Sequence, residues 1–160
     1  MSPIPQPLRI AEGGLDDPRV VALVDYHVRA ARAQTEVGSA HAIGTAGLSA
    51  PNVRFWSAWD GDVLVGIGAL KRLSPDHGEI KSMHTVIEHR GQGVGSAIVD
   101  HIVEAARKMG ITRLSLETGS WDYFKPAHAL YRRHGFVDCG PFGDYKADPN
   151  SLFFTLAVID

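Results

Sequence analysis

Arg90-Gly91-Gln92-Gly93-Val94-Gly95 places a guanidinium and three glycines directly ahead of an amphipathic segment. Glycine has no Cβ, so its backbone can approach a ligand closely. The first N–H groups of a helix lack internal partners and sit at the positive end of its dipole. A phosphate or pyrophosphate answers both conditions, and Arg90 adds a charged donor. Two other phosphate loops fail on register. The dinucleotide fingerprint requires G-x-G-x-x-G in a parallel unit, whereas Gly91-Gln92-Gly93 is followed by Gly95. The Walker loop requires a terminal Gly-Lys-Ser/Thr, which this segment lacks. A glycine-rich turn that only tightens a helix start has the same composition, so the junction alone leaves that reading open.

Other reactive side chains are sparse. The eight histidines show no H-E-x-x-H or similar ligand spacing, which argues against a metal site. The single cysteine, Cys139, cannot form an internal disulfide, which fits a reducing compartment. It lies in the strand-like run Phe136-Val137-Asp138-Cys139 and reads as core filler rather than nucleophile. The net charge of −2 provides no global basic field for nucleic acid or an anionic membrane. Met1 to Arg9 holds three prolines and no apolar core, unlike a signal peptide, and no apolar run approaches a membrane span. A cytoplasmic protein is expected.

The elements that must position these groups can be read from periodicity. The length of 160 residues and the apolar content of 44% suit one globular domain spanning 1–160. Leu8 to Ala11 is a short strand candidate. Pro18 to Ala33 carries apolar residues at helical spacing with proline in the first turn. Residues 34–52 are rich in Gly, Ser, Ala and Thr and read as a loop with at most one short helix. Val53 to Trp59 and Val63 to Leu70 flank Asp60-Gly61, a hairpin signal. Glu79 to Val86 is a further strand, followed by a helix over Ser96 to Met109 that Gly110 stops. Arg113 to Glu117 is a strand, Pro126 to His134 a helix, and Phe136 to Cys139 and Leu152 to Val158 are the last strands. Strands and helices alternate only in the second half, so an α/β or α+β fold is expected: a mixed sheet covered by helices.

Arg90-x-x-Gly93-x-Gly95 resembles the R/Q-x-x-G-x-G/A signature of the GNAT superfamily of acetyl-CoA-dependent N-acetyltransferases. Ala127-His128-Ala129-Leu130-Tyr131-Arg132-Arg133-His134-Gly135-Phe136 resembles that superfamily's second motif, A-x-x-L-Y-x-x-x-G-F. The two are separated by one strand, as in the family, and the resemblance covers roughly residues 53–158. One departure stands out: many members carry Asn seven residues before the tyrosine, and here that position is Phe124.

The resemblance implies a mixed, mostly antiparallel sheet of six to seven strands, splayed between the fourth and fifth. It implies that acetyl-CoA is bound by backbone groups of Met83, His84 and Thr85. Arg90, Gly91, Gln92, Gly93, Val94, Gly95 and Ser96 would wrap the pyrophosphate, with Phe124, Ala127 and Tyr131 alongside. Tyr131 matches the tyrosine that serves many members as general acid toward the sulfur. Glu79 and Glu117 occupy positions where different members keep a catalytic carboxylate, and an ordered water relay is the third candidate for the base. His84 has a suitable pKa for a base. Strand alternation, however, gives it the opposite parity to Glu79 and points it behind the sheet.

The acceptor expected is a small-molecule amine, with a peptide or protein N-terminus as one alternative and a non-catalytic acyl-CoA-binding module as another. Homodimers are common in the superfamily. Acceptor recognition is expected from residues 35–52, including Glu36, Ser39 and His41, and from the loop holding Asp144 and Tyr145. Trp121-Asp122-Tyr123-Phe124 is expected to border the acyl channel. Phe55, Trp56 and Trp59 are expected in the core.

Overall fold

The structure is a computed structural model describing residues 8–33 and 43–158. Its elements run β1 (Arg9–Glu12), α1 (Pro18–Ala33), α2 (Thr45–Leu48), β2 (Val53–Asp60), β3 (Val63–Ser74), β4 (His77–Thr85), α3 (Val94–Lys108), β5 (Arg113–Gly119), α4 (Lys125–Arg133), β6 (Val137–Cys139) and β7 (Ser151–Ala157). The strands form one seven-stranded sheet in the order β1-β2-β3-β4-β5-β7-β6. Every pair is antiparallel except β4 with β5. This is the mixed, mostly antiparallel α/β architecture expected from the sequence. Most boundaries fall within two residues of expectation. The exception is β3, which continues through Lys71 and Arg72 to Ser74. Those charges do not break it, because β3 turns back through Pro75-Asp76 and keeps pairing with β4 as far as Ser74↔His77.

The helices cover both faces of the sheet. On one face, Val94, Ile98, Val99, Ile102, Ala105 and Ala106 of α3 meet Trp56, Ile80, Leu114, Leu116 and Phe154, and Tyr131 of α4 joins this core. On the other, Val20 and Val24 of α1 and Leu48 of α2 pack on Phe55, Trp59, Ile67 and Ala69. The aromatic residues of β2 are therefore core, as expected. Cys139 is not: β6 lies at the sheet edge, with Val137 61% exposed and Cys139 half-buried. Among the described residues β6 pairs only with β7, so its other edge is open. Burial still raises the Cys139 thiol above its ordinary pKa, which disfavours the thiolate.

Two irregularities of β4 shape everything that follows. Its parallel ladder with β5 runs only from His77↔Arg113 to Glu79↔Ser115, and beyond that point the strands part. Against β3, Ile67 pairs with His84 and Ala69 with Lys81, so three steps on β4 oppose two on β3. The extra residue is a β-bulge, and Ser82 within it has φ of 58°.

Candidate active site

The bulge corrects the parity of His84. Regular alternation would set it opposite Glu79. With one extra residue inserted, Glu79, Lys81 and His84 share the face toward α1. His84 Nδ1 lies 3.0 Å from Nδ1 of His27 on α1. Met83 turns to the opposite face, where its sulfur closes over Gly68 beside Ile98 and Ile102. Alternation by two holds only while the ladder is regular.

A cleft of about 540 Å³ occupies the gap between β4 and β5. Because the strands part there, the cleft connects the two faces of the sheet. On the α3–α4 side it is lined by Thr85, Arg90, Gly91, Gly93, Val94, Gly95, Ser96, Phe124, Ala127 and Tyr131. On the α1 side it is lined by His27, Ala31, Ile43, Glu79, Lys81, His84 and Glu117. Of the residues expected to catalyse or to hold acetyl-CoA, Gln92 alone is absent from the lining; its Oε1 lies 3.4 Å from His89 Nδ1.

Helices α1 and α3 begin differently. Asp17 caps α1, accepting the Arg19 N–H at 2.9 Å ahead of Pro18. Helix α3 has no side-chain cap. Its N-cap, Gly93, is left-handed at φ of 84°, Gly91 at 79°, and a Cβ on either would meet only open space. The first turn of this 15-residue helix therefore opens onto the cleft beside Arg90 with no side-chain cap among the described residues. These residues fit a pyrophosphate. The Ser96 hydroxyl is engaged at 3.1 Å by His134 Nε2.

The second motif is anchored from below. His128 Nε2 donates to the Gly119 carbonyl at 2.8 Å, tying α4 to the end of β5. Tyr131 is 5% exposed, lines the cleft, and its hydroxyl makes no hydrogen bond among the described residues. Burial holds its pKa above the ordinary tyrosine value, so it stays protonated and able to donate. Phe124, in the position where many family members carry Asn, packs on Gly119. A Cβ there would sit 2.2 Å from its ring.

The α1 side carries the charge. Glu79 is 3% exposed and accepts from Lys81 Nζ at 3.1 Å and from the Tyr145 hydroxyl at 2.5 Å. Lys81 Nζ also donates to Tyr145 at 3.0 Å. Burial first, and the Glu79 charge second, raise the Tyr145 pKa, so that hydroxyl keeps its proton. Glu117 accepts from Ser151 Oγ at 2.7 Å. His27 and His84 are both depressed to about 4, by burial above all, with Lys81 acting on His27, and His27 and Arg90 acting on His84. Both are neutral at pH 7, so the bond between their Nδ1 atoms holds a single proton.

Tyr145 thus reaches the site through Glu79, whereas Asp144 is exposed and does not line the cleft. Tyr123 and Phe124 line it and Trp121 does not. Glu36, Ser39 and His41 lie outside the described residues. Sequence reasoning missed His27, Lys81 and Ser82. Lys81 was legible as the charged neighbour of Glu79, but nothing local marks a histidine on α1, 57 residues before its partner. Among the described residues, no group of three or more His, Cys, Asp or Glu could hold a metal ion, and no helix is long and apolar enough to cross a membrane.

Residues 20–136 match the model of the Acetyltransferase (GNAT) family. The chain belongs to the GNAT acetyltransferases. It is 50% identical over 137 residues to the uncharacterized N-acetyltransferase YsnE of Bacillus subtilis, covering 86% of this chain and 91% of that one. It is 46% identical over 146 residues to the uncharacterized N-acetyltransferase YedL of Escherichia coli, covering 91% and 92%. An acetyltransferase structure from Streptococcus agalactiae superposes with a TM-score of 0.72 at 21% identity, over 95% of this chain and 99% of that one, which establishes the shared fold. The protein is an acetyltransferase, and the GNAT family draws its acetyl groups from acetyl-CoA.

Proposed function

We propose that this acetyltransferase moves the acetyl group of acetyl-CoA directly to a primary amine of a small molecule. The observation that carries this reading is the cleft through the sheet, with a helix N-terminus lacking a side-chain cap on one face and the buried Glu79 and half-buried Glu117 on the other. In this reading the backbone around Gly91 to Ser96 and Arg90 hold the pyrophosphate, and Met83, His84 and Thr85 offer backbone groups to the pantetheine arm. The thioester then lies in the split between β4 and β5. The acceptor enters from the α1 side, under His27, Ala31 and Ile43, a roof that favours a small molecule over a long peptide.

The chemistry divides between the faces. The amine nitrogen bonds the carbonyl carbon and sheds a proton toward the Glu79–Glu117 end. The carbon–sulfur bond then breaks, and Tyr131 supplies the proton that the leaving sulfur takes. The direct test is free-thiol release from acetyl-CoA with a panel of amines and short peptides. Turnover on free amines and none on peptides supports the proposal; the reverse pattern overturns the small-molecule assignment. Glu79→Gln and Glu117→Gln, assayed separately on the best amine, assign the base. The base variant should lose about 10²–10⁴-fold in kcat. Near-equal, small losses in both would move that role to a water relay.

A further inference from the structure

Ser82 carries two unfavourable features at one position. Among the described residues it is the one non-glycine with positive φ, at 58°. Glycine would adopt this conformation without strain. Its Oγ is also buried with no hydrogen-bond partner, a condition shared among the described residues only by Arg107 Nε. An orphaned buried hydroxyl destabilises a fold, and alanine would remove it. Neither feature serves packing, since glycine would relieve both. Strain and an unsatisfied polar group, found together, point to a function when the residue borders a site. Ser82 is 8% exposed and lines the cleft.

Its place in the cleft selects the missing partner. The bulge sits where β4 has parted from β5, between the carboxylates on one face and Tyr131 on the other. On the reading that this cleft binds acetyl-CoA, the amine arrives from the Glu79 side and the sulfur departs on the Tyr131 side. The carbonyl oxygen is the remaining reactive atom in the split. We propose that Ser82 is a catalytic residue whose hydroxyl donates a hydrogen bond to the thioester carbonyl oxygen, alongside the backbone donors of β4. As the amine nitrogen bonds the carbonyl carbon, the C=O π pair moves onto this oxygen and the Ser82 bond strengthens without transferring its proton. The pair returns as the carbon–sulfur bond breaks, and the sulfur takes its proton from Tyr131. A donor aimed at developing charge in a site shielded from water accelerates acyl transfer.

The test compares the wild type with Ser82→Ala, which keeps the backbone strain, and Ser82→Gly, which removes it. Difference infrared spectroscopy of acetyl-CoA labelled with 13C at the thioester carbonyl reads that oxygen without any acceptor. The carbonyl band should lie at lower frequency on the wild type than on either variant. Both variants should lose roughly 10²–10³-fold in kcat with little change in KM for the amine. A Ser82→Gly melting temperature at or above wild type shows that the loss is not unfolding. An unmoved band, full turnover by either variant, or a raised KM for the amine with the band unmoved overturns the proposal and leaves the acetyl-CoA reading standing. Failure of the wild type to bind the labelled acetyl-CoA overturns that reading and this proposal together.

Discussion

Tyr145 donates its hydroxyl to Glu79 across 2.5 Å, from a loop 66 residues further along the chain. Lys81 approaches the same carboxylate oxygen from within β4, and its side chain and that of Glu79 are only 9% and 4% exposed. Partners on a buried carboxylate are not interchangeable with solvent. Removing the cation leaves an uncompensated buried charge, at a cost of about 3–5 kcal/mol. Lys81→Met should therefore destabilise the protein by about that amount in urea unfolding at pH 7. Adding Glu79→Gln should restore most of the loss, because the neutral amide needs no counter-charge. A double variant as unstable as the sum of the two singles contradicts this account.

The contact between Phe124 and Gly119 makes a separate prediction. The ring lies where any β-carbon on residue 119 would be, 2.2 Å from its nearest atom. Gly119→Ala must push Phe124 off the end of β5 and into the cleft mouth. Overpacking of this kind typically costs about 1–3 kcal/mol. Acetyl-CoA binding, measured by calorimetry, should weaken as well. Gly119→Ala combined with Phe124→Ala should recover stability. Unchanged affinity in Gly119→Ala would remove Phe124 from the binding surface.

Much of this fold and half of its site were legible in the residue order, for identifiable reasons. Helix α1 announced itself through Pro18 and the spacing of Val20, Val24 and Val28, all of them buried. The junction from Arg90 to Gly95 and the motif around Tyr131 are contiguous, so their chemistry is written locally. The acceptor face is not contiguous. His27 and Tyr145 come from a helix and a loop far from β4 in the sequence, and only the tertiary fold brings them beside His84 and Glu79. The parity of His84 was misread because one inserted residue at Ser82 reverses every side chain after it. No glycine or proline marks that bulge in the sequence. Cys139 was misread because a short apolar run looks the same on an edge strand as in a core.

Tyr131 offers the sharpest kinetic prediction. Its hydroxyl is protonated, lines the cleft, and makes no hydrogen bond among the described residues. Tyr131→Phe removes only that oxygen and keeps the ring that packs against Phe136 and Phe154. Turnover should fall by about 10²–10⁴-fold. Affinity for CoA should change by less than about twofold, and stability should hold, since no internal hydrogen bond is lost. Equal losses in turnover and CoA affinity would make Tyr131 a binding residue instead of the acid.

The histidine pair predicts how stability responds to pH. In the folded chain His27 and His84 protonate only near pH 4, whereas in the unfolded chain they take up protons around 6.5. Between those values the unfolded state binds more protons, so stability falls as the pH drops from 6.5 toward 4, with no further loss from the pair below that. Each fully differential proton contributes a slope of about 1.4 kcal/mol per pH unit. The charges of Lys81, facing His27, and of Arg90, facing His84, oppose protonation of the pair. Most carboxylates titrate below about pH 5, which leaves pH 6.5 to 5 as the clean interval. Unfolding free energies measured there should decline clearly for the wild type and much less for the His27→Gln, His84→Gln double variant. Equal slopes would mean that the two rings are solvated enough to protonate in the folded chain, and that the bond between their Nδ1 atoms does not persist in solution.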